Sequence, residues 1–163
     1  MISTDISDEE VLSGLRRLSE HLSDLTPVFQ VIGEQLEEST EQRFDEGVSP
    51  DGATWAPKAQ STIDAYARRG KTVSIKPLFG PNDDGLPLRK SFFSDASPTS
   101  LEIGTNKVQS AVMQFGAAKG AFGTAANNTS IPWGNIPARP FLGISAEDRQ
   151  TIAITIEEWL EEV

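Results

Sequence analysis

Two stretches of this chain, residues 70–87 and 116–135, resist regular helix or strand, and they set what the remainder can build. Residues 70–87 hold three glycines and three prolines around Asn82-Asp83-Asp84-Gly85, and each proline removes a backbone donor. Residues 116–135 are rich in Gly, Ala, Asn, Ser and Thr. Such a composition has too little apolar surface to order itself. Both are expected to be long loops, with Phe122 and Trp133 as aromatic anchors inside the second. The 163 residues suffice for one domain, 1–163, with a real core.

Helical spacing rules the two ends. Ser7-Asp8-Glu9-Glu10 reads as a capping box, ahead of Val11, Leu12, Leu15, Leu18 and Leu22 on one face. Thr26-Pro27 is expected to open a second helix, with Thr26 as its cap. Val28, Val31, Ile32, Leu36 and Phe44 supply its apolar side, and Gly47 ends it. Residues 1–46 are thus a helical N-terminal part. After the turn signal Ser49-Pro50-Asp51-Gly52, residues 58–69 suggest a third helix. At the far end Ser145 and Asp148 form a capping box before Ile152, Ile156, Trp159, Leu160 and Val163.

Three short segments between the loops read as strands: Leu88–Asp95, Leu101–Gly104 and Ser110–Phe115. The second and third form the expected hairpin. The fold class that follows is α+β. A small, mostly antiparallel sheet carries N-terminal helices, a middle helix and a C-terminal helix packed on it.

Charge is unevenly spread. The net −10 divides into −9 over residues 1–46, +4 over 47–143 and −5 over 144–163. Acidic ends around a mildly basic middle fit solvated helix faces, or charge complementarity between neighbouring subunits. The acidic total disfavours bulk nucleic-acid binding.

Catalysis finds no constellation to work with. There is no cysteine, so disulfides and thiolate metal sites are excluded; the single histidine, His21, reads as a surface or helix-boundary side chain with no nucleophile to serve. Glu37, Glu38 and Glu41, like Glu157, Glu158, Glu161 and Glu162, read as solvated faces rather than pairs with divergent pKa values. Residues 82–85 lack the alternating ligands of a calcium loop. No phosphate-binding loop is present. The expectation is no catalytic residue, no metal and no cofactor. Residues 1–5 lack a signal-peptide pattern, and no apolar run approaches a membrane span, so synthesis and folding in a cytoplasm are expected.

Three segments carry a resemblance. The first is Arg43-Phe44 followed by Pro50-Asp51-Gly52 and Trp55, with Lys58 and Thr62 after it. The second is Leu101-Glu102-Ile103-Gly104-Thr105 followed by Val112-Met113-Gln114-Phe115-Gly116. The third is Ile136-Pro137-Ala138-Arg139-Pro140-Phe141-Leu142-Gly143. In this order they resemble the Mu-like phage virion-morphogenesis family, related to tail-completion proteins of P2-like phages. Met113 stands where the family often has histidine.

The resemblance implies a structural protein of a tailed-phage virion, made in the host cytoplasm and acting at the head–tail junction. Related neck and tail-terminating proteins form rings. Expected partners are copies of the chain, other neck, connector or tail-tube proteins, and DNA passing a channel; no membrane is expected. Phe122, Trp133, Arg139 and Phe141 are the candidate interface residues, and 116–135 a candidate assembly arm. The competing expectation is DNA contact through Arg68, Arg69, Lys71, Lys76, Arg89 and Lys90.

Overall fold

A computed structural model describes residues 8–72, 74–80 and 88–162. In chain order the elements are α1 (Glu9–His21), α2 (Thr26–Glu46), α3 (Gln60–Ala67), a 3-10 turn (Leu88–Lys90), β1 (Phe92–Ala96), β2 (Leu101–Thr105), α4 (Ser110–Phe115) and α5 (Ala146–Glu161). The α+β class holds. The Ser7 capping box, the 82–85 turn and Val163 lie outside the described residues.

The longest element, α2, is the piece against which the others assemble. Val28, Ile32 and Leu36 recur every four residues on one face, and Thr40, Arg43 and Phe44 continue the buried surface to its end. Two apolar clusters result. Val28, Ile32 and Leu36 meet Leu101 and Ile103 of β2 and Ile152, Ile156 and Trp159 of α5. Phe44 meets Trp55, Leu88 and Phe141, with Phe92 and Met113 packed against them. The ring centroids of Phe44 lie 5.2 Å from Trp55, 5.3 Å from Phe141 and 5.7 Å from Phe92, within the range of favourable offset and edge contacts.

The start of α2 departs from expectation. Thr26 is already helical and Leu25 holds the cap position. The Asp24 carboxylate accepts the Thr26 amide at 2.9 Å, and Leu25 N–H donates to Pro98 O at 3.1 Å. An aspartate two residues upstream thus does what a capping threonine would. Gly47 ends the helix at φ 75°, a left-handed conformation that glycine adopts at little cost.

The sheet has two antiparallel strands, β1 and β2, pairing Phe92 with Thr105 through Ala96 with Leu101. The expected third strand is a short helix. Ser110–Phe115 winds as α4, and this turns Met113 into the second aromatic cluster. The hairpin therefore joins the first two candidate strands, not the last two. A six-residue run with apolar positions at 112, 113 and 115 fits either period, and packing decided it.

The 116–135 stretch forms the long loop expected, with more internal backbone pairing than its composition suggests. A ladder of backbone bonds closes it into a hairpin-like finger: Gly120 N–H to Pro132 O at 2.9 Å, Phe122 N–H to Ile131 O at 2.8 Å and Ile131 N–H to Gly123 O at 2.8 Å. Isolated bridges at Ala117–Ile136 and Thr124–Ser130 mark its base and tip. Composition forbade a core there; it did not forbid backbone pairing.

Gly33 sits where α2 passes close to Ser94 of β1. A Cβ there would lie 2.6 Å from Ser94 Oγ and 2.7 Å from Ser94 Cβ, whereas one at Gly14 in α1 would meet nothing within 4 Å. The same substitution should therefore act with opposite sign at the two sites. Gly14→Ala should raise stability by up to ~1 kcal/mol through helix propensity. Gly33→Ala should lower it, because overpacking of about 1–3 kcal/mol outweighs the same gain. Thermal melts of the two variants check this.

Candidate functional site

The third sequence motif is an extended strap, residues 136–143, and residues of the other two motifs hold it. Proline at 137 and 140 stiffens the strap and removes two donors. Its carbonyls and remaining amides need partners, and the other two motifs supply them.

The first motif contributes a turn and a buried cation. Gly52, at φ 83°, lets the 49–52 turn close with Gly52 N–H on Ser49 O at 2.8 Å. Trp55 is thereby turned inward, where its indole N–H donates to Pro140 O at 2.8 Å. Pro50 touches the strap's end: a Cβ on Gly143 would lie 2.8 Å from Pro50 Cγ. Arg43 projects from α2 into the interior. Its Nη1 donates to the carbonyls of Phe141 and Gly143 at 3.0 Å each, and its Nη2 to Ser39 Oγ at 3.0 Å and to the Asp148 carboxylate.

Arg43 and Asp148 are a buried ion pair, with side chains 6% and 5% exposed. Asp148 is also the reciprocal member of the α5 capping box. It accepts Ser145 N–H at 2.7 Å and Ser39 Oγ–H at 2.5 Å, while its own N–H donates to Ser145 Oγ at 3.0 Å. Burial pushes its carboxyl upward. The hydrogen bonds from Ser39 and Ser145, with the Arg43 charge, outweigh that and hold it below the usual range.

The second motif holds the strap's other side. Gln114 accepts the amides of Phe141 and Leu142 on Oε1, at 2.9 and 3.1 Å, and donates to Leu142 O from Nε2 at 3.0 Å. Gly116, at φ 74°, lies so close that a Cβ would come within 2.7 Å of Ile136 O. Arg139 N–H closes onto Met113 O at 2.7 Å.

The four candidate interface residues divide. Phe122 and Trp133 stand on the finger, 58% and 64% exposed. Phe141 is fully buried and Arg139 is 7% exposed, so both are interior residues of the subunit. The Arg139 guanidinium grips backbone rather than a neighbour's carboxylate: Nε donates to Ala56 O at 2.8 Å and Nη2 to Pro57 O at 2.9 Å. Among the motif residues Phe115 points outward, 78% exposed, Pro137 is exposed, and Gly104 lies on β2 beneath Phe93.

Lys58 precedes α3 instead of riding on it. Its ammonium gathers the carbonyls of Ser74, Lys76 and Phe79, the last two at 2.7 and 2.6 Å. Burial, then the positive charge of Arg139, lowers its pKa. Half of the candidate DNA-contacting cations are engaged by α2 carboxylates: Lys90 with Glu41 at 2.9 Å, and Lys76 and Arg89 with Asp45 at 3.6 and 3.9 Å.

Removing one partner of the buried pair leaves the other charged and unpaired, so Arg43→Met or Asp148→Ala should each cost about 3–5 kcal/mol. The double variant should recover much of that loss. A depressed carboxylate stabilises the fold above its unfolded pKa of about 3.9 and loses that contribution as pH falls through its folded value. Asp148→Asn should accordingly flatten the acid limb of a stability–pH profile measured by urea denaturation.

Among the described residues, no helix is long and apolar enough to cross a membrane. No solved structure matches the chain. Over 162 residues it is 26% identical to Mu-like prophage FluMu G protein 2 of Haemophilus influenzae, covering 99% of this chain and 97% of that protein. The model of the phage virion morphogenesis family matches residues 6–161, the span that contains all three motifs and the strap they hold. The chain belongs to the phage virion morphogenesis family.

Proposed function

We propose that this protein acts at the head–tail junction of a tailed phage, completing the tail as a ring of identical subunits. Family membership gives a role in phage virion assembly. The observation that carries the finer reading is the distribution of apolar surface. Among the described residues, more large apolar side chains are exposed than form the core. On the finger, Phe122, Ile131 and Trp133 are each exposed. Exposed aromatic residues are frequent anchors of protein interfaces. A homo-oligomer of one small subunit closes by rotational symmetry, which suits the axial symmetry of a phage tail.

The finger is the assembly arm in this reading. It arrives already shaped by its own backbone ladder, so joining costs little ordering entropy.

Phe122→Ala combined with Trp133→Ala should leave the melting temperature of the free subunit nearly unchanged, because both side chains are exposed. The double variant should fail to join heads to tails. Complementation of a phage lacking this gene checks the second point, with electron microscopy of the lysate. Unjoined heads and tails are expected, and a normal infectious titre would overturn the arm.

A further inference from the structure

We infer that the groove between β2 and α5 takes up an extended strand, and that this strand is residues 1–7 of a neighbouring copy of the chain. The inference rests on the ring reading and names the contact that would link one subunit to the next.

The outer backbone row of β2 is unmet. Its one neighbour in the sheet is β1. At the hairpin's turn Ser97 N–H donates to Ser100 O at 2.8 Å, and bonded and non-bonded pairs alternate along an antiparallel ladder from there. Asp95–Glu102 and Phe93–Gly104 are then the bonded pairs. Leu101, Ile103 and Thr105 turn their amides and carbonyls away from β1, and among the described residues no hydrogen bond reaches those groups. An unpaired row of this kind is a template for another strand.

That row opens onto an apolar groove of about 530 Å³. Ile32 and Leu36 of α2, Leu101 and Ile103 of β2, and Ile152 and Ile156 of α5 line it, and no β1 residue does. The groove thus begins where the sheet stops. A helix seated there would cover apolar surface and leave the β2 row unmet. An extended strand answers both needs: its backbone continues the ladder, and every second side chain turns down onto α2. A strand bringing its own sheet would meet α5, which bounds the groove on the side opposite β2. The geometry therefore calls for a single strand with one apolar face.

Residues 1–7 have that pattern. They read Met-Ile-Ser-Thr-Asp-Ile-Ser, which puts Ile2, Thr4 and Ile6 on one face at the strand period and Ser3, Asp5 and Ser7 on the other. Isoleucine and threonine also favour extended backbone. At ~3.3 Å per residue the segment spans ~23 Å, enough to cover the ~17 Å of the five-residue β2. Residues 82–87, which also lie outside the described chain, hold two aspartates, a glycine and a proline and have no such alternation.

The placing of α1 favours a neighbour's groove over the chain's own. The helix meets the body at its C-terminal end, where His21 stacks on Trp159 with ring centroids 3.9 Å apart. None of its residues is buried and none lines the groove. Its 13 residues carry the segment ~20 Å from that contact. With five residues in the ladder, the two left over span only ~7 Å. Strand and groove are different patches, so the contact is heterologous, and its head-to-tail repetition closes into a ring when the rotation permits.

The chain has no cysteine, so introduced pairs report this contact without background. Ile6→Cys is combined in one chain with Thr99→Cys or with Ser100→Cys, at the exposed end of β2 that borders the groove. Oxidation with copper–phenanthroline should give a ladder of covalent multimers on a denaturing gel, and each single-cysteine variant should give none. Light scattering of the full chain supplies the second reading. The wild type should be multimeric, and Ile2→Asp combined with Ile6→Asp should be monomeric with an unchanged circular dichroism spectrum. A crosslinked monomer in place of the ladder would assign the segment to its own groove and overturn the exchange. No crosslink at either position, or an aspartate variant that keeps the wild-type mass, would overturn the strand and leave the ring standing. A wild-type chain that is monomeric at every concentration would overturn the ring, and the exchange with it.

Discussion

Arg43 and Asp148 lie 105 residues apart in sequence and join the beginning of the fold to its end. Burying both charges away from water is costly by itself, and the fold offsets that cost by satisfying nearly every donor and acceptor around them. The Arg43 guanidinium reaches two strap carbonyls, the Ser39 hydroxyl and the Asp148 carboxylate. Asp148 in turn caps α5 through Ser145. One ionic contact therefore positions the strap against α2, sets where α5 begins, and fixes the direction in which α5 lies along α2. The aromatic cluster of Phe44, Trp55 and Phe141 can close only once the strap is in place, because Phe141 comes from the strap itself.

This arrangement explains how a chain with a small apolar core keeps a defined shape. Hydrophobic burial is non-directional, and a modest core alone tolerates alternative packings. Directional groups supply the specification here. Gln114 reads two amides and a carbonyl of the strap, Arg139 grips Ala56 and Pro57, and Lys58 gathers three carbonyls of the 74–79 segment. Each is a side chain that satisfies backbone lacking a sheet or helix partner.

What the sequence discloses follows from the range of each interaction. The α5 capping box, the Gly47 stop and the helical spacing of α2 depend on neighbours within a few residues, and they are legible. The Ser110–Phe115 helix is not, because a short apolar run has no period of its own and Met113 and Gln114 are turned by partners more than 25 residues away. The finger misleads in a related way: small polar residues signal the absence of a core, and say nothing about backbone pairing between 120–123 and 131–132. Arg139 and Phe141 look like surface anchors on an extended segment until the contacts that bury them are seen. Arg43 carries one usable signal, its place beside Phe44 at the end of α2's apolar face.

The family's motifs are therefore, with few exceptions, a set of instructions for the interior. Pro50, Gly52, Trp55, Gln114, Gly116, Arg139, Pro140 and Phe141 constrain one another pairwise across the strap, and a change at one leaves a specific donor, carbonyl or contact unsatisfied at another. The exposed stripe of α1 and the finger aromatics lie outside that web. A substitution there disturbs no internal hydrogen bond, so its effect on folding is small. A subunit organised in this way separates its two requirements physically. The buried pair and strap hold the shape, and the outer elements are left to answer to whatever surface they meet.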